Sequence, residues 1–168
     1  MSAGGERKAF QDYYPAATQH CYGCGSRNPD GYRIRSFAEG GEAVCRFTPE
    51  PFHTAVPGAV YGGLVASLVD CHGTGTAAWE AYRAAGRPMD SDPPLRFVTG
   101  SLKVSYRKPT PLGVELVLRA RATEVTDRKV RVSVVVEAEG VVTAEGEVVA
   151  VRIPEAWLES LAAGSAKT

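Results

Sequence analysis

The stretch Gly58-Ala59-Val60-Tyr61-Gly62-Gly63-Leu64-Val65-Ala66-Ser67-Leu68-Val69-Asp70 decides how this chain is read. A loop of small residues ends in two glycines, an apolar run follows, and one carboxylate stands inside it. Gly62 and Gly63 let another molecule approach the backbone, because no Cβ intervenes. A helix that starts there leaves its first N–H groups without intrahelical acceptors, open to an oxygen carrying negative charge. Asp70 follows about two turns later, in a run where a charge needs a reason. Free N–H donors and a lone carboxylate together point to chemistry on a carbonyl.

Outward from that stretch, the spacing predicts one long helix from about Val60 to Ala85. Leu64, Leu68, Cys71, Gly75, Ala78 and Tyr82 recur at three- and four-residue steps, as a buried stripe should. Asp70 lies about 200° round from Leu68, off the stripe, on a face shared with Ser67 and Thr74. Gly73 and Gly75 each weaken the helix by about 1 kcal/mol relative to Ala, so close packing against a sheet or a second helix is expected of them.

The flanks read as strands. Tyr32 to Phe37 and Glu42 to Thr48 form a hairpin about Gly40-Gly41, with Ala43, Cys45 and Phe47 on one face of the second strand. After the helix come four β segments near 97–107, 114–126, 129–139 and 142–153, joined by short turn-rich links that imply antiparallel neighbours. A last helical turn is expected from Pro154 to Leu161. The order is β-β-α-β-β-β-β, an α+β domain with its helix buried against a sheet large enough to wrap it. Residues 1–18 read as a polar N-terminal arm, 19–156 as a single domain, and 157–168 as a C-terminal turn and mobile tail.

The chain has 168 residues, 44% hydrophobic and 23% charged, which suits one domain with a real core. Lys+Arg and Asp+Glu are both 19. That balance gives no support for nucleic acid or an acidic membrane as the main partner, although a local Arg/Lys patch could still hold a small anion. No apolar run approaches the ~20 residues of a membrane span, and residues 1–11 lack the apolar core of a secretory signal. A cytoplasmic protein with reduced thiols is expected.

Cys21 and Cys24 form a Cys-x-x-Cys pair. Structural zinc takes four ligands and catalytic zinc three, and no second pair is present, so His20, His53, Cys45 or Cys71 could complete a site only through folding. The favoured reading is a tight turn with no metal and no cofactor. His53 stands in the loop before the glycines; His72, two positions from Asp70, points elsewhere and is expected to be buried.

Three segments together resemble the hotdog-fold acyl-CoA thioesterases of the PaaI-like family. They are Cys21-Tyr22-Gly23-Cys24-Gly25 with Asn28-Pro29-Asp30-Gly31, then Gly58 to Asp70, then Ser101 to Thr110. The match runs from about residue 20 to 153. The resemblance implies a hotdog fold, a curved antiparallel sheet around the central helix, and a homodimer or homotetramer with its site between subunits. It implies hydrolysis of an acyl-CoA thioester to free acid and CoA. Asp70 matches the catalytic general base or nucleophile, and Gly62 the glycine whose N–H polarises the thioester carbonyl. Thr99 lies where some members hold the attacking water with a hydroxyl.

Tyr61, Gly63, His53 and Ser67 are then expected to shape the substrate site. Arg107, Lys108, Arg128 and Lys129 read either as solvated strand ends or as contacts for the CoA phosphates. Two departures stand out: Tyr61 replaces the family histidine, and Ala55 stands where some members carry Asn. They keep two other readings open, a non-catalytic acyl-CoA or acyl-chain binding module and a hotdog acyl-CoA hydratase or dehydratase.

Overall fold

The computed structural model describes residues 7–164. The elements run β1 (Ser36–Glu39), β2 (Glu42–Phe47), α1 (Gly62–Ala84), β3 (Phe97–Tyr106), β4 (Leu116–Val125), β5 (Lys129–Ala138), β6 (Val141–Arg152) and α2 (Glu155–Gly164). Two 3-10 turns, Phe10–Tyr13 and Ala16–Thr18, precede them. The six strands form one antiparallel sheet in the order β1-β2-β4-β5-β6-β3, and α1 packs across β3, β4, β5 and β6. A long central helix held against a curved antiparallel sheet is the hotdog fold.

The expected helix and the last four strands hold to within about two residues at each end. The first strand starts four residues later than Tyr32 and runs two past Phe37, to Glu39. Arg33 takes a left-handed backbone (φ 55°), which breaks the extended run. The N–H groups of Tyr32 and Ile34 are instead donated to Tyr22 and Gly23 carbonyls in the preceding turn. Gly40 and Gly41, both at positive φ, close the hairpin between Glu39 and Glu42, as a two-residue turn between twisted strands requires.

Every residue of the predicted stripe on α1 is buried. So are Val65, Val69, His72 and Thr76, because the sheet wraps much of the helix circumference. Helix and sheet meet through two glycines. A Cβ on Gly73 would lie 2.5 Å from a Val148 methyl, and one on Gly146 would lie 2.3 Å from a Val69 methyl. Each valine fills the space that the opposite glycine leaves empty.

The N-terminal arm is not merely polar. Phe10 stacks on Trp79 with ring centroids 5.2 Å apart, and Ala9, Gln11 and Tyr14 are also buried. Gln11 holds Ser36 through side chain and backbone (3.1 and 2.8 Å), and the Ser36 hydroxyl lies 2.8 Å from Nδ1 of buried His72. Burial pushes the His72 imidazole down to about 4, so it is neutral near pH 7. The mobile tail expected at the C-terminus lies largely outside the described residues, which reach Gly164 in α2. No described helix is long and apolar enough to cross a membrane.

Two strands end the sheet. β1 is four residues long, whereas β3 runs for ten and bears exposed Val98, Leu102 and Tyr106. A long apolar edge of unpaired N–H and C=O groups is a template for another strand.

Candidate active site

Asp70 sits in the third turn of α1 and is half-buried. Its neighbour across the sheet is Thr99 on β3, whose hydroxyl donates to Asp70 Oδ1. A register shift between Thr99 and Ser101 marks an irregularity in β3 just beyond this contact. Burial raises the Asp70 carboxyl above the ordinary carboxylate range; the Thr99 hydrogen bond works against that rise, and the Cys21 charge adds to it. The pair opens into a cavity of about 450 Å³. Phe97, Val98, Ile153 and Trp157 give it apolar wall; Cys21, Cys24 and Cys71 form another side.

The helix N-terminus is built differently. Tyr61 is the N-cap, so Gly62 and Gly63 are the first two helical residues. Their N–H groups precede the first helical acceptor, the Tyr61 carbonyl, which takes bonds from Leu64 and Val65. The Tyr61 ring folds over Gly63, where a Cβ would lie 2.3 Å from the phenol oxygen. Tyr61 itself remains 55% exposed. The Tyr106 hydroxyl, at the far end of β3, donates to the Gly62 carbonyl at 2.6 Å. The glycine turn is thereby pinned to one end of β3 and Asp70 to the other.

The remaining sequence candidates are placed as follows. His53 accepts the Glu50 N–H on Nδ1 at 2.9 Å and packs among Tyr32, Phe47 and Phe52. Its carbonyl accepts the Tyr61 N–H at 2.8 Å, so it positions the glycine turn through backbone. The Ser67 hydroxyl is spent on the Gly63 carbonyl at 2.9 Å. The four basic candidates are not brought together within one chain. Arg107 and Lys108 follow the Tyr106 end of β3 and bond through their N–H groups to the Thr143 carbonyl. Arg128 and Lys129 stand at the start of β5, beside Val151 and Arg152, which pair with the Phe97 end of β3. Ten residues of strand, about 30 Å, separate the two ends. Arg107 is ion-paired to Glu145 (2.7 Å) and Lys129 to Glu124 (3.6 Å).

One feature escaped the reading of the sequence, and a second was left open there. Tyr106 was part of a motif but had no assigned partner, and no spacing connects it with Gly62. Cys71 joins Cys21 and Cys24 across fifty residues; all three Sγ atoms lie within 4.8 Å of one another. Hydrogen bonds from Cys24 and Cys71 hold the Cys21 thiol far below its ordinary value. The same bonds raise the other two, Cys24 to about 12.

Residues 57–151 match the family model described as the thioesterase superfamily. Among solved structures, a thioesterase superfamily protein from Shewanella loihica PV-4 is 43% identical, with 86% of this chain and 99% of that one covered and a TM-score of 0.62. The E. coli PaaI protein of the phenylacetic acid degradation operon is 15% identical over 73% of this chain and 81% of its own, with a TM-score of 0.60, a likeness of fold. Among curated proteins, the acyl-coenzyme A thioesterase THEM4 of Xenopus laevis is 30% identical over 87 residues. That match spans 52% of this chain and 33% of the relative, so the chain matches about a third of that protein's length.

Proposed function

The chain belongs to the thioesterase superfamily, and from that premise we propose that it hydrolyses an acyl-CoA thioester to the free acid and CoA. The Xenopus relative is named for this activity, and the site's chemistry suits it. The observation that carries the reading is the pairing at the two ends of β3: Tyr106 with Gly62 at one, Thr99 with Asp70 at the other.

Asp70 stands eight residues after Gly62, about 12 Å along a helix that rises ~1.5 Å per residue. A donor and a base that serve one carbonyl must each come within about 3 Å of the reacting atoms. Within one chain they cannot. Antiparallel pairing of β3 with the β3 of a second copy brings the Tyr106 end of one strand beside the Thr99 end of the other. Gly62 of one protomer then faces Asp70 of its partner, and two equivalent sites result. The same pairing brings Arg107 and Lys108 to the end where the partner's Arg128 and Lys129 stand, a place for the CoA phosphates.

In this arrangement the Gly62 N–H, with Gly63 beside it, holds the thioester oxygen as negative charge develops. The Thr99 oxygen accepts a hydrogen bond from the attacking water while its own hydroxyl donates to Asp70. The Asp70 carboxylate takes the water's other proton as the C–O bond forms. The tetrahedral intermediate then expels the CoA thiolate, which recovers that proton as the thiol. A direct attack by Asp70 through an anhydride would need the same residues.

A thiol-release assay over a panel of acyl-CoAs tests the proposal. Turnover by the parent protein and its loss in Asp70→Asn support hydrolysis; tight binding without release would leave a binding module instead. For the hydratase reading, the His53 ring is held by Glu50 and three aromatic neighbours, while His20 lines the cavity with Asp70; hydration of an enoyl-CoA without thiol release would support that reading.

Two further outcomes follow. Tyr61 lies over the glycine turn, so it shapes the pocket, and its hydroxyl can donate one hydrogen bond. Tyr61→Phe should therefore cost under about tenfold in kcat, as one neutral hydrogen bond nets ~0.5–1.5 kcal/mol. Tyr61→Ala should change acyl preference more than it slows the best substrate. A Tyr61→Phe protein as inactive as Asp70→Asn would make the phenol a catalytic group.

Thr99→Val removes the bond that favours the Asp70 carboxylate. Hydrolysis needs that carboxylate ionised, so activity rises with pH through its titration. The acid limb of the kcat/KM profile should lie above the ordinary carboxylate range in the parent and move to still higher pH in Thr99→Val. An unmoved limb with only a scaled rate would leave Thr99 a water-positioning role alone.

A further inference from the structure

We propose that Cys21, Cys24 and Cys71 form a three-thiolate site for one thiophilic metal ion of the zinc class, set in the wall of the cavity that holds Asp70. The three sulfurs already lie within 4.8 Å of one another, with Cys21 and Cys71 4.0 Å apart. A tetrahedral zinc with bonds of about 2.3 Å needs sulfurs ~3.8 Å apart, a closure reachable by small side-chain rotations.

The backbone is shaped for this contact. The Gly25 N–H closes the Cys21-to-Cys24 turn on the Cys21 carbonyl at 2.8 Å. A Cβ on Gly25 would lie 2.5 Å from the Cys21 nitrogen, so the turn needs glycine there. A Cβ on Gly23 would lie 2.3 Å from Cys71 Sγ. Glycine at 23 is what allows the helix thiol to sit directly beneath the turn.

Charge and access agree with the geometry. Three thiolates and a divalent ion leave one net negative charge. Arg96 is buried, stacks 3.4 Å from the Tyr14 ring centroid, and lines the same cavity as the three cysteines. All three cysteines line the cavity, so the fourth tetrahedral position opens into it. Cys21 is exposed, which gives an ion a way in. The fourth cysteine, Cys45, is buried in β2, is not among these ligands and serves as an internal control.

The test uses the full chain, reduced and stripped of metal, titrated with Co²⁺ and Cd²⁺ and, in competition with a chromophoric chelator, with Zn²⁺. One ion should bind per chain, with a thiolate-to-metal charge-transfer band, tetrahedral Co²⁺ transitions and a raised Tm. Cys21→Ser, at the exposed position, and Cys71→Ser should each weaken Zn²⁺ at least tenfold and reduce the band; Cys45→Ser should change neither. Affinity and band unchanged in a folded Cys71→Ser protein would reduce the site to an ordinary Cys-x-x-Cys pair and overturn the proposal. So would the absence of a charge-transfer band in the reduced parent, or binding that survives Cys21→Ser undiminished. None of these readouts depends on turnover, so the metal site stands or falls apart from the hydrolytic reading.

Discussion

Asp70→Asn is expected to lower kcat for thioester hydrolysis by at least about 10²-fold, the low end for removal of a general base. The amide keeps the shape of the carboxyl and can still meet Thr99, but it cannot take a proton from water. Melting temperature separates this loss from misfolding. Burial raises the Asp70 carboxyl, so the folded state disfavours its charged form. The resulting loss of stability is absent below the ordinary Asp range, grows as pH rises, and is complete above the raised value. Near pH 7 the Asn protein should therefore melt no lower than the parent, with any advantage fading in acid. Unchanged turnover in this variant would remove Asp70 from the mechanism.

Gly62→Pro should produce a loss of similar size by a different route. Gly62 is the first helical residue, where proline fits because its missing N–H has no helical acceptor. The residue before it, Tyr61, already has the extended backbone that a following proline demands (φ −57°, ψ 125°). The substitution thus deletes the proposed donor and little else, at a cost of about 10²–10³ in kcat if that N–H holds the developing oxyanion.

The two variants also test the shared site. If each site takes Gly62 from one protomer and Asp70 from its partner, a mixed dimer of Gly62→Pro and Asp70→Asn chains contains one intact site. Random reassortment of equal amounts should restore about a quarter of parental activity. A mixture as inactive as its components, with reassortment shown by mass, would place both residues in one chain's site.

Much of the fold was legible because it is written in short periods. The α1 stripe recurs every three to four residues, the strands alternate, and Gly40-Gly41 marks a hairpin by its backbone freedom alone. The first strand misled because local alternation ran on through Arg33, whose left-handed backbone is set by contacts with the turn near Tyr22. The N-terminal arm looked polar because Phe10 and Tyr14 are scattered among Lys8, Gln11 and Asp12; its burial depends on Trp79, far along the chain.

The candidate site divides in the same way. Asp70 and the glycines declared themselves as a charge and a gap in an apolar run. The thiol cluster did so only in part: Cys71 was one of four residues that folding could bring to the Cys21–Cys24 pair, and only the fold, which lays the Cys21 turn upon it, selects it. The four basic residues read as strand ends that could share the CoA phosphates. Their separation follows only from the register of β3 on β6 and of β6 on β5.

The reciprocal contact between helix and sheet has a consequence for how such a chain can diverge. Gly73 receives Val148, and Gly146, two residues earlier on β6, receives Val69. An alanine at either glycine collides with a branched side chain fixed in the core, and a smaller residue at either valine opens a void. Neither partner can drift alone without loss of stability. Across a large set of descendants, the identities at 73 and 148 should vary together, as should those at 69 and 146. In a saturation library, an added methyl at one position should be tolerated only when its opposite number shrinks. The two pairs would thus act as locks of ancestry: inherited jointly, exchanged jointly, and silent about chemistry.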